Sequence, residues 1–350
     1  MSFFWAPLAL TAATGGMLAL PLTPALWELW RRKDAGPLVT RKDDGRIQNF
    51  AQSFRNYIAP LQPALVLCAE HSGNAKLRLP DRKYAFLIGR GETYDVLAEK
   101  LTTLVLFANE ISMRSNMVFT NDVYCADVFH GARSNVFRAL LGEKDVFLGE
   151  STQVLRWIHA EGNLVVGQSS HLHGRCSSTT ALWFSTACRF ERIYAPLIVT
   201  AINAGPESPP PALLSTEPVA KSHRRGRSRV QGNLYLGPHE MFLGSVIATG
   251  SISIGENSHI IGSAKGNGDV HLAPQSHVDG SLVSTGTIHI GPRCMIKGPV
   301  LAEDEITIAA GAQIGTPDSP TTVSAPRIRI AHDCRLHGTV WARVEGRVEE

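Results

Sequence analysis

The chain has 350 residues, of which 44% are hydrophobic and 19% are charged, and its net charge is +3 at pH 7. This composition excludes a disordered chain, and the small net charge argues against nucleic-acid binding along the whole length. The six cysteines stand singly, without the Cys-x-x-Cys spacing of zinc sites. We therefore expect free thiols, no metal centre and no cofactor, in a chain long enough for two or three domains.

The first predicted element is a transmembrane anchor over residues 1–33. No charged residue occurs from Phe3 to Leu26, a run that can cross a hydrocarbon core of about 30 Å. Residues typical of membrane interfaces flank this run: Trp5, Trp27, Trp30, Arg31, Arg32 and Lys33. The basic residues follow the run, so the positive-inside rule predicts a single-pass protein whose bulk is cytoplasmic. A cleaved signal peptide and a short membrane hairpin near Gly15 and Gly16 are the alternatives.

Residues 34–122 are predicted to form a small α+β region that connects or caps the rest of the chain. Apolar residues at helical spacing predict one helix over 46–58 and a second over 93–113. Two short apolar runs, 64–69 and 84–88, are typical of strands. We find no catalytic or phosphate-binding motif in this region.

An 18-residue repeat organises the C-terminal third of the chain, residues 232–345. Aliphatic residues open each repeat, and others recur two, eight and twelve residues later. The first of these columns contains Leu234, Ile252, Val270, Ile288, Ile306 and Ile328, and the column eight residues later contains Phe242, Ile260, Val278, Ile296, Ile314 and Leu336. Residues two apart point to the same side of a strand, and three strands of about six residues complete one triangular coil. The repeat therefore predicts an all-β fold, a β-helix of about 18 residues per coil.

Two further columns of the repeat carry small residues. Glycine recurs ten residues after five of the six starts, at Gly244, Gly262, Gly280, Gly298 and Gly338, where it would permit a sharp corner. Small residues recur six residues after the start, at Ser258, Ser276, Cys294, Ala312 and Cys334. We interpret Cys294 and Cys334 as fillers of a turn or of the core rather than as catalytic thiols.

Weaker copies of the repeat occupy residues 123–198. The columns are Val128, Val146, Leu164 and Leu182, then Val136, Val154, Leu172 and Phe190, then Leu140, Ile158, Cys176 and Tyr194. The corner glycine is lost at Arg138, Arg156 and Arg192. These residues are predicted to form four less regular coils.

A Pro-rich and basic segment, residues 199–231, separates the two blocks of repeats. Its prolines exclude a core strand over most of its length. Its basic residues are Lys221, Arg224, Arg225, Arg227 and Arg229. A solvated linker is one interpretation, and contact with anionic lipid or with a partner is the other. Nucleic acid is disfavoured, because no aromatic residue stands between these charges.

The repeat over residues 234–342 resembles the bactofilin domain, a polymer-forming cytoskeletal family of bacteria. The matching text is Gly-Ser-Ile-Ser-Ile-Gly at 250–255 and Gly-Thr-Ile-His-Ile-Gly at 286–291, with Ile/Val-x-Gly corners at 260–262, 278–280 and 296–298. The resemblance covers near a third of the chain. It implies a right-handed β-helix that assembles end to end without nucleotide, often at the bacterial inner membrane, and organises cell-envelope or cell-wall proteins.

A polymer of this kind needs an open coil at an end of the solenoid, because unpaired strand edges recruit other edges. After Trp341 the sequence runs into a charged tail, residues 346–350, without a helix or proline cap. Val340 and Trp341 are therefore candidates for a polymer end face. The alternative is that Trp341 only shields the last coil.

Three functions compete at this stage. The first is a membrane-tethered scaffold that self-assembles as a homopolymer and positions cell-envelope proteins, and the second is a membrane adaptor that never polymerises. The third is an acyltransferase of the left-handed β-helix type, which is disfavoured because its aliphatic residues would recur every six residues. We expect no enzyme activity, since no paired carboxylates and no serine–histidine–acid set can be assembled from the spacing.

Overall fold

The computed structural model describes residues 5–24, 27, 30, 47–70, 73–79, 81, 83–89, 100–201, 222–225 and 228–349. The chain forms two compact units, Met1–Arg46 and Ile47–Glu350. In the first unit, helix α1 (Trp5–Ala19) is followed by a 3-10 turn (Leu20–Leu22). Within the described residues, no helix combines the length and the apolar character needed to cross a bilayer. The predicted transmembrane helix is therefore not supported.

The second unit is a β-solenoid of about 12 turns with two short helices against it. The helices are α2 (Asn49–Ile58) and α3 (Gln62–Glu70), joined by a 3-10 turn (Ala59–Leu61). An N-terminal solenoid contains β1 (Asn74–Arg78), β2 (Tyr84–Ile88), β3 (Lys100–Leu101), β4 (Leu104–Phe107), β5 (Ile111–Ser112), β6 (Val118–Cys125), β7 (Phe129–His130), β8 (Val136–Gly142), β9 (Val146–Leu148), β10 (Gln153–Ala160), β11 (Leu164–Val166), β12 (His171–Ser178), β13 (Ala181–Phe184) and β14 (Arg189–Thr200).

A C-terminal solenoid contains β15 (Ser222–Arg225), β16 (Ser228–Val230), β17 (Leu234–Leu236), β18 (Glu240–Leu243), β19 (Val246–Ala248), β20 (Ile252–Ile254), β21 (His259–Ile261), β22 (Ala264–Gly266), β23 (Val270–Leu272), β24 (His277–Val278), β25 (Leu282–Ser284), β26 (Ile288–Ile290), β27 (Met295–Ile296), β28 (Val300–Ala302), β29 (Glu305–Ile308), β30 (Gln313–Ile314), β31 (Thr321–Ile330) and β32 (Arg335–Val348). The predicted β-helix and its repeat are confirmed.

Parallel pairing between successive coils has the register that the repeat predicts. Ile252 pairs with Val270, and Val270 pairs with Ile288, one repeat further along the chain. These side chains are fully buried and belong to one hydrophobic core that extends through both solenoids. Stacking at about 4.8 Å thus satisfies the backbone of each coil and buries its apolar residues in the same step.

The column of small residues six positions into the repeat is buried, as predicted. Ser258 Oγ donates a hydrogen bond to the carbonyl of Gly237 at 2.7 Å, and the thiol of Cys294 contacts the carbonyl of Ala273 at 3.1 Å. Burial raises the pKa of Cys294 to about 11, so this thiol stays protonated. These side chains fill the corner and satisfy carbonyl groups of the coil below.

The corner glycines are required mainly because the coils approach each other closely. A Cβ built on Gly280 would lie 2.6 Å from the carbonyl oxygen of Gly262, and one on Gly262 would lie 2.2 Å from that of Gly244. Gly262 also has a φ of 154°, whereas Gly280 is absent from the residues with positive φ. Close backbone contact, rather than the sharp corner that the sequence suggested, therefore explains the glycine at 280.

We predict that Gly280→Ala lowers the free energy of unfolding by about 1–3 kcal/mol, because the new methyl group forces two coils apart. Gly237→Ala is the matched control. Its Cβ would meet only the flexible side chain of Glu240, at 3.1 Å, so a change within about 0.5 kcal/mol is expected. Urea unfolding of the full chain measures both values, and equal values would contradict the close-contact explanation.

Two predictions within residues 34–122 are wrong. Residues 64–69 lie in helix α3, not in a strand. The described part of the predicted 93–113 helix contains the strands β3, β4 and β5, and residues 93–99 lie outside the described residues. Leu104–Phe107 is buried on both faces, because its outer side packs under α2 and α3. A strand buried on both faces is a continuous apolar run, which periodicity does not separate from a helix. The coils therefore begin before residue 123.

The weaker repeats are coils, but three of the predicted columns contain a misassigned residue. Phe129 and Phe137, rather than Val128 and Val136, pair with Val146 and Val154. At the other end, Ile193 rather than Tyr194 pairs with Cys176, after an irregularity in the register. The inward residues Phe129, Phe137 and Ile193 are fully buried. A repeat that gains or loses one residue moves every later side chain to the opposite face, so a fixed step of 18 fails there.

The C-terminal portion of the predicted 199–231 linker belongs to the solenoid. Residues 202–221 lie outside the described residues, but β15 and β16 pair in parallel with β18 and β19 in the 18-residue register. The predicted tail begins within the last coil, because β32 continues to Val348 and Gly346 pairs with Ile328. Ordered coils therefore extend at both ends beyond the predicted 232–345.

The last coils of the two solenoids pair with each other. β14 runs antiparallel to β32, from the pair Arg189 and Arg347 to the pair Val199 and Arg335. All other pairings between coils that are described here are parallel, apart from the β1–β2 hairpin and an isolated bridge at Thr316. We call this antiparallel junction the seam. It joins the C-terminal end of one solenoid to the C-terminal end of the other.

Candidate functional site

The seam occupies the place where an open polymer end was predicted. Val340 is 1% exposed and pairs with Ile193 of the N-terminal solenoid. Trp341 is 43% exposed and pairs with Arg192, whose guanidinium carbon lies 5.1 Å from the centre of the indole ring. The prediction of a bare C-terminal end is therefore wrong, because the edge of this coil is paired within the chain. Contact of these two residues with another copy stays a prediction.

Side-chain hydrogen bonds stabilise the seam in addition to the backbone pairing. The buried hydroxyl of Thr200 donates to the carbonyl of Ala331 at 2.7 Å and accepts from the backbone N–H of Cys334 at 3.0 Å. The Nδ1 atom of His337 lies 2.7 Å from the carbonyl oxygen of Pro196, so Nδ1 donates in this contact. Burial lowers the pKa of His337. Its neutral form is therefore the one that fits the seam.

We predict that the free energy of unfolding falls as the pH drops from 7.5 to 5.5. The pKa of His337 is about 6.5 in the unfolded chain and lower in the folded chain, so the unfolded state binds more protons in this window. His337→Gln keeps a donor and removes the titration, so its loss between the two pH values should be smaller, by up to about 1 kcal/mol. The exposed His289→Gln should retain the wild-type loss. Urea unfolding at the two pH values measures the loss of unfolding free energy. Identical losses in the His337→Gln and His289→Gln variants would contradict the role of His337.

The predicted basic contact residues are only partly described. Lys221 and Arg227 lie outside the described residues, Arg224 and Arg225 are in β15, and Arg229 is an exposed residue of β16. Arg224 pairs with Phe242 and so takes a register position that apolar residues occupy in later coils. In the described residues, β15, β16 and β17 pair only with the next coil. Part of the basic stretch therefore lies in the first described coil of the C-terminal solenoid.

The structure describes the three tryptophans among the predicted membrane-interface residues but not the three basic residues. Trp5 is 72% exposed in α1, and Trp27 and Trp30 are 58% and 81% exposed with their ring centres 6.3 Å apart. Arg31, Arg32 and Lys33 lie outside the described residues.

A polar network that the sequence analysis missed fastens α2 to the N-terminal solenoid. Arg55 donates to both carboxylate oxygens of Glu143, each at 2.9 Å, and also contacts Glu161. The Nε2 atom of His159 lies 3.3 Å from Glu161, and its Nδ1 atom lies 2.9 Å from the hydroxyl of Ser177. Burial lowers the pKa of His159.

Ser177, His159 and Glu161 have the composition of a hydrolase triad, but they lack the solvent access that a triad needs. Ser177 and His159 are each 2% exposed, so no substrate carbonyl reaches the hydroxyl. The contacts of the network instead hold the helical cover on the solenoid. Spacing alone could not have found it, because Arg55 is 88 residues from Glu143 in the chain.

Among the described residues, no three His, Cys, Asp or Glu side chains are placed so that they could hold a metal ion together. His259 and His277 are neighbours on adjacent coils, with ring centres 5.7 Å apart, but His259 contacts Asp279 at 3.0 Å and Asp279 also binds Lys297. The carboxylate nearest the two histidines is therefore already in an ion pair with Lys297.

A polar cavity of about 370 Å³ lies against the seam. The residues that line it are Ser151, Gln153, Ser169, Ser170, His171, Ala187, Arg189 and Arg347. Sequence reasoning missed it, because Arg347 lies in the segment predicted to be a tail. The repeat spacing of Gln153, His171 and Arg189, which are 18 residues apart, was the available signal.

No protein-family profile, curated protein or solved structure matches this chain. The resemblance to bactofilins thus stays a prediction that rests on the repeat.

Proposed function

We propose that this protein is a membrane-associated adaptor, a rigid double solenoid that holds partner proteins of the cell envelope at a membrane and does not grow into an end-to-end polymer. It is a structural protein in this proposal, not an enzyme. The observation that carries it is the seam, because the strand edges that a polymer would use at Val340 and Trp341 are paired inside the chain.

The charges at the two remaining ends support the same proposal. Strand β1 covers the edge of β2 at one end, and its exposed residues include Lys76 and Arg78. The first coil of the C-terminal solenoid carries Arg224, Arg225 and Arg229 at the other end. Basic residues on edge strands are a common device against edge-to-edge association, and end-to-end contacts between copies would bring like charges together. The same charges favour an acidic partner or anionic lipid.

Helix α1 supports the membrane part of the proposal. The side chains of α1 that the structure describes are exposed, with Leu10 at 70% and Met17 at 80%, and the helix contains no charged residue. A helix that is apolar on every side is normally covered by protein or by lipid. Lipid is our choice, because the neighbouring tryptophans at 27 and 30 have the amphipathic character of interfacial anchors.

The alternative function is the polymer that the bactofilin resemblance implies, with a right-handed winding. The observation in its favour is that β15, β16 and β17 have no partner on their outer edges among the described residues. A polymer would then have to grow from this first coil rather than from Val340 and Trp341.

The test is flotation of the full chain with vesicles of phosphatidylethanolamine and phosphatidylglycerol, followed by negative-stain electron microscopy of the floated fraction. We expect the wild type to float as discrete particles. A double variant, Leu10→Lys with Met17→Lys, should stay at the bottom, since each lysine costs about 2.5–3.5 kcal/mol in the apolar layer. Val344→Lys is the matched control, because Val344 is an exposed apolar residue of the solenoid.

Two outcomes would contradict the proposal. Flotation of the double variant at the wild-type level would contradict the membrane role of α1. Filaments or ribbons in the floated wild-type fraction would contradict the adaptor function and favour the polymer.

A further inference from the structure

We propose that the cavity at the seam is a binding site for a phosphate monoester, held by the guanidinium groups of Arg189 and Arg347 and by the hydroxyl and amide groups beside them. This site is independent of the proposed adaptor function. It exists only when the two solenoids are joined, because each contributes one of the arginines.

The first argument is the placement of like charges. Arg189 and Arg347 are direct register partners in the antiparallel seam, which places their Cβ atoms about 5 Å apart. Like charges opposite each other are unfavourable unless something neutralises them. Glu345 lies 3.4 Å from the Nε atom of Arg189, so one of the two charges has a partner. Arg347 is exposed and has no acidic partner within the described residues.

The second argument is the set of unused polar groups around the cavity. The side chains of Ser151, Ser169 and Gln153 make no hydrogen bond within the part of the chain that the structure describes, although all three line the cavity. Ser151 and Ser169 have left-handed backbone conformations, with φ of 56° and 58°, at the corners of successive coils. The hydroxyls at these corners can donate to or accept from the body of a ligand.

The third argument is the shape of the site. Gln153, His171 and Arg189 pair in sequence on three successive coils, and Arg347 follows them across the seam. At about 4.8 Å per step the column is about 14 Å long, with its positive charge at one end. The volume of about 370 Å³ is at the lower end of the range for small-molecule sites.

These features select a small molecule with hydroxyl groups and with a phosphate group at one end. Guanidinium groups bind phosphate oxygens with paired, charge-assisted hydrogen bonds, and the three free oxygens of a phosphate monoester can accept from Arg347 and from Arg189 at the same time. A sugar phosphate has this chemistry, and the headgroup of a phosphatidic acid shares its charged group. The chemistry common to both is the phosphate monoester of a primary alcohol.

The experiment is titration of the full chain by calorimetry with glucose 6-phosphate, with inorganic phosphate and with glucose. A second arm is flotation with vesicles that contain phosphatidic acid, in the full chain that carries Leu10→Lys and Met17→Lys and therefore does not float through α1. We expect saturable binding of glucose 6-phosphate and none of glucose. Arg347→Gln should weaken the binding by about tenfold to hundredfold, the effect of losing a charge-assisted pair. Arg343→Gln is the matched control, because Arg343 is an exposed arginine of the same strand that does not line the cavity.

Each outcome decides the proposal. Binding that Arg347→Gln removes and Arg343→Gln retains supports the site, with the soluble molecule as the source if glucose 6-phosphate binds and the lipid if only the vesicles do. Equal binding by the two variants, or the absence of saturable binding to every phosphate monoester tested, would overturn it. Thermal melting of Arg347→Gln, expected to match the wild type, shows that the variant is folded.

Discussion

Backbone pairing between successive coils is the interaction on which the rest of this protein depends. Each coil satisfies its N–H and C=O groups only through the coils above and below, and the same stacking buries its apolar column. The geometry explains the corner glycines, because coils at this separation leave no room for a methyl group where two corners meet. It also creates a problem at each end of a solenoid, since the last coil has an edge without a partner.

The protein resolves this problem on one side by joining two solenoids at their C-terminal ends. The seam converts two open edges into one antiparallel junction, and the shared core continues across it. The helices α2 and α3 cover an outer face of the N-terminal solenoid, held there by apolar packing and by Arg55. Basic residues accompany both ends that remain. The paired seam and the basic ends support our proposal of an adaptor over a filament subunit, and the apolar helix α1 supports its place at a membrane.

The local sequence predicts the β-helix and its inward-facing columns only where the 18-residue repeat is regular. The columns at Ile252 and Ile260 could be predicted because each coil obeys the same rule, whereas the 93–113 helix was wrong because a strand buried on both faces has the apolar density of a helix. In the weaker repeats, the predicted inward-facing residues are wrong by one position wherever a coil is not 18 residues long. The seam has no local signal, since it pairs strands more than 130 residues apart, and the cavity depends on the seam. The predicted end face at Val340 and Trp341 needs an exposed strand edge, and the folded chain pairs that edge with β14.

The central claim is that the last coils of the two solenoids pair within one chain, and a cross-strand disulfide tests it most directly. Tyr194 and Thr339 are register partners across the seam, and antiparallel partners have the Cα separation that a disulfide needs, about 4.4–6.8 Å. In the double variant Tyr194→Cys with Thr339→Cys, mild oxidation should give a bond between residues 194 and 339 of the same chain, identified by peptide mass spectrometry in a monomeric band. Each single variant should give no such product. A double variant that stays reduced at these positions, or that forms only bonds between chains, would contradict the seam.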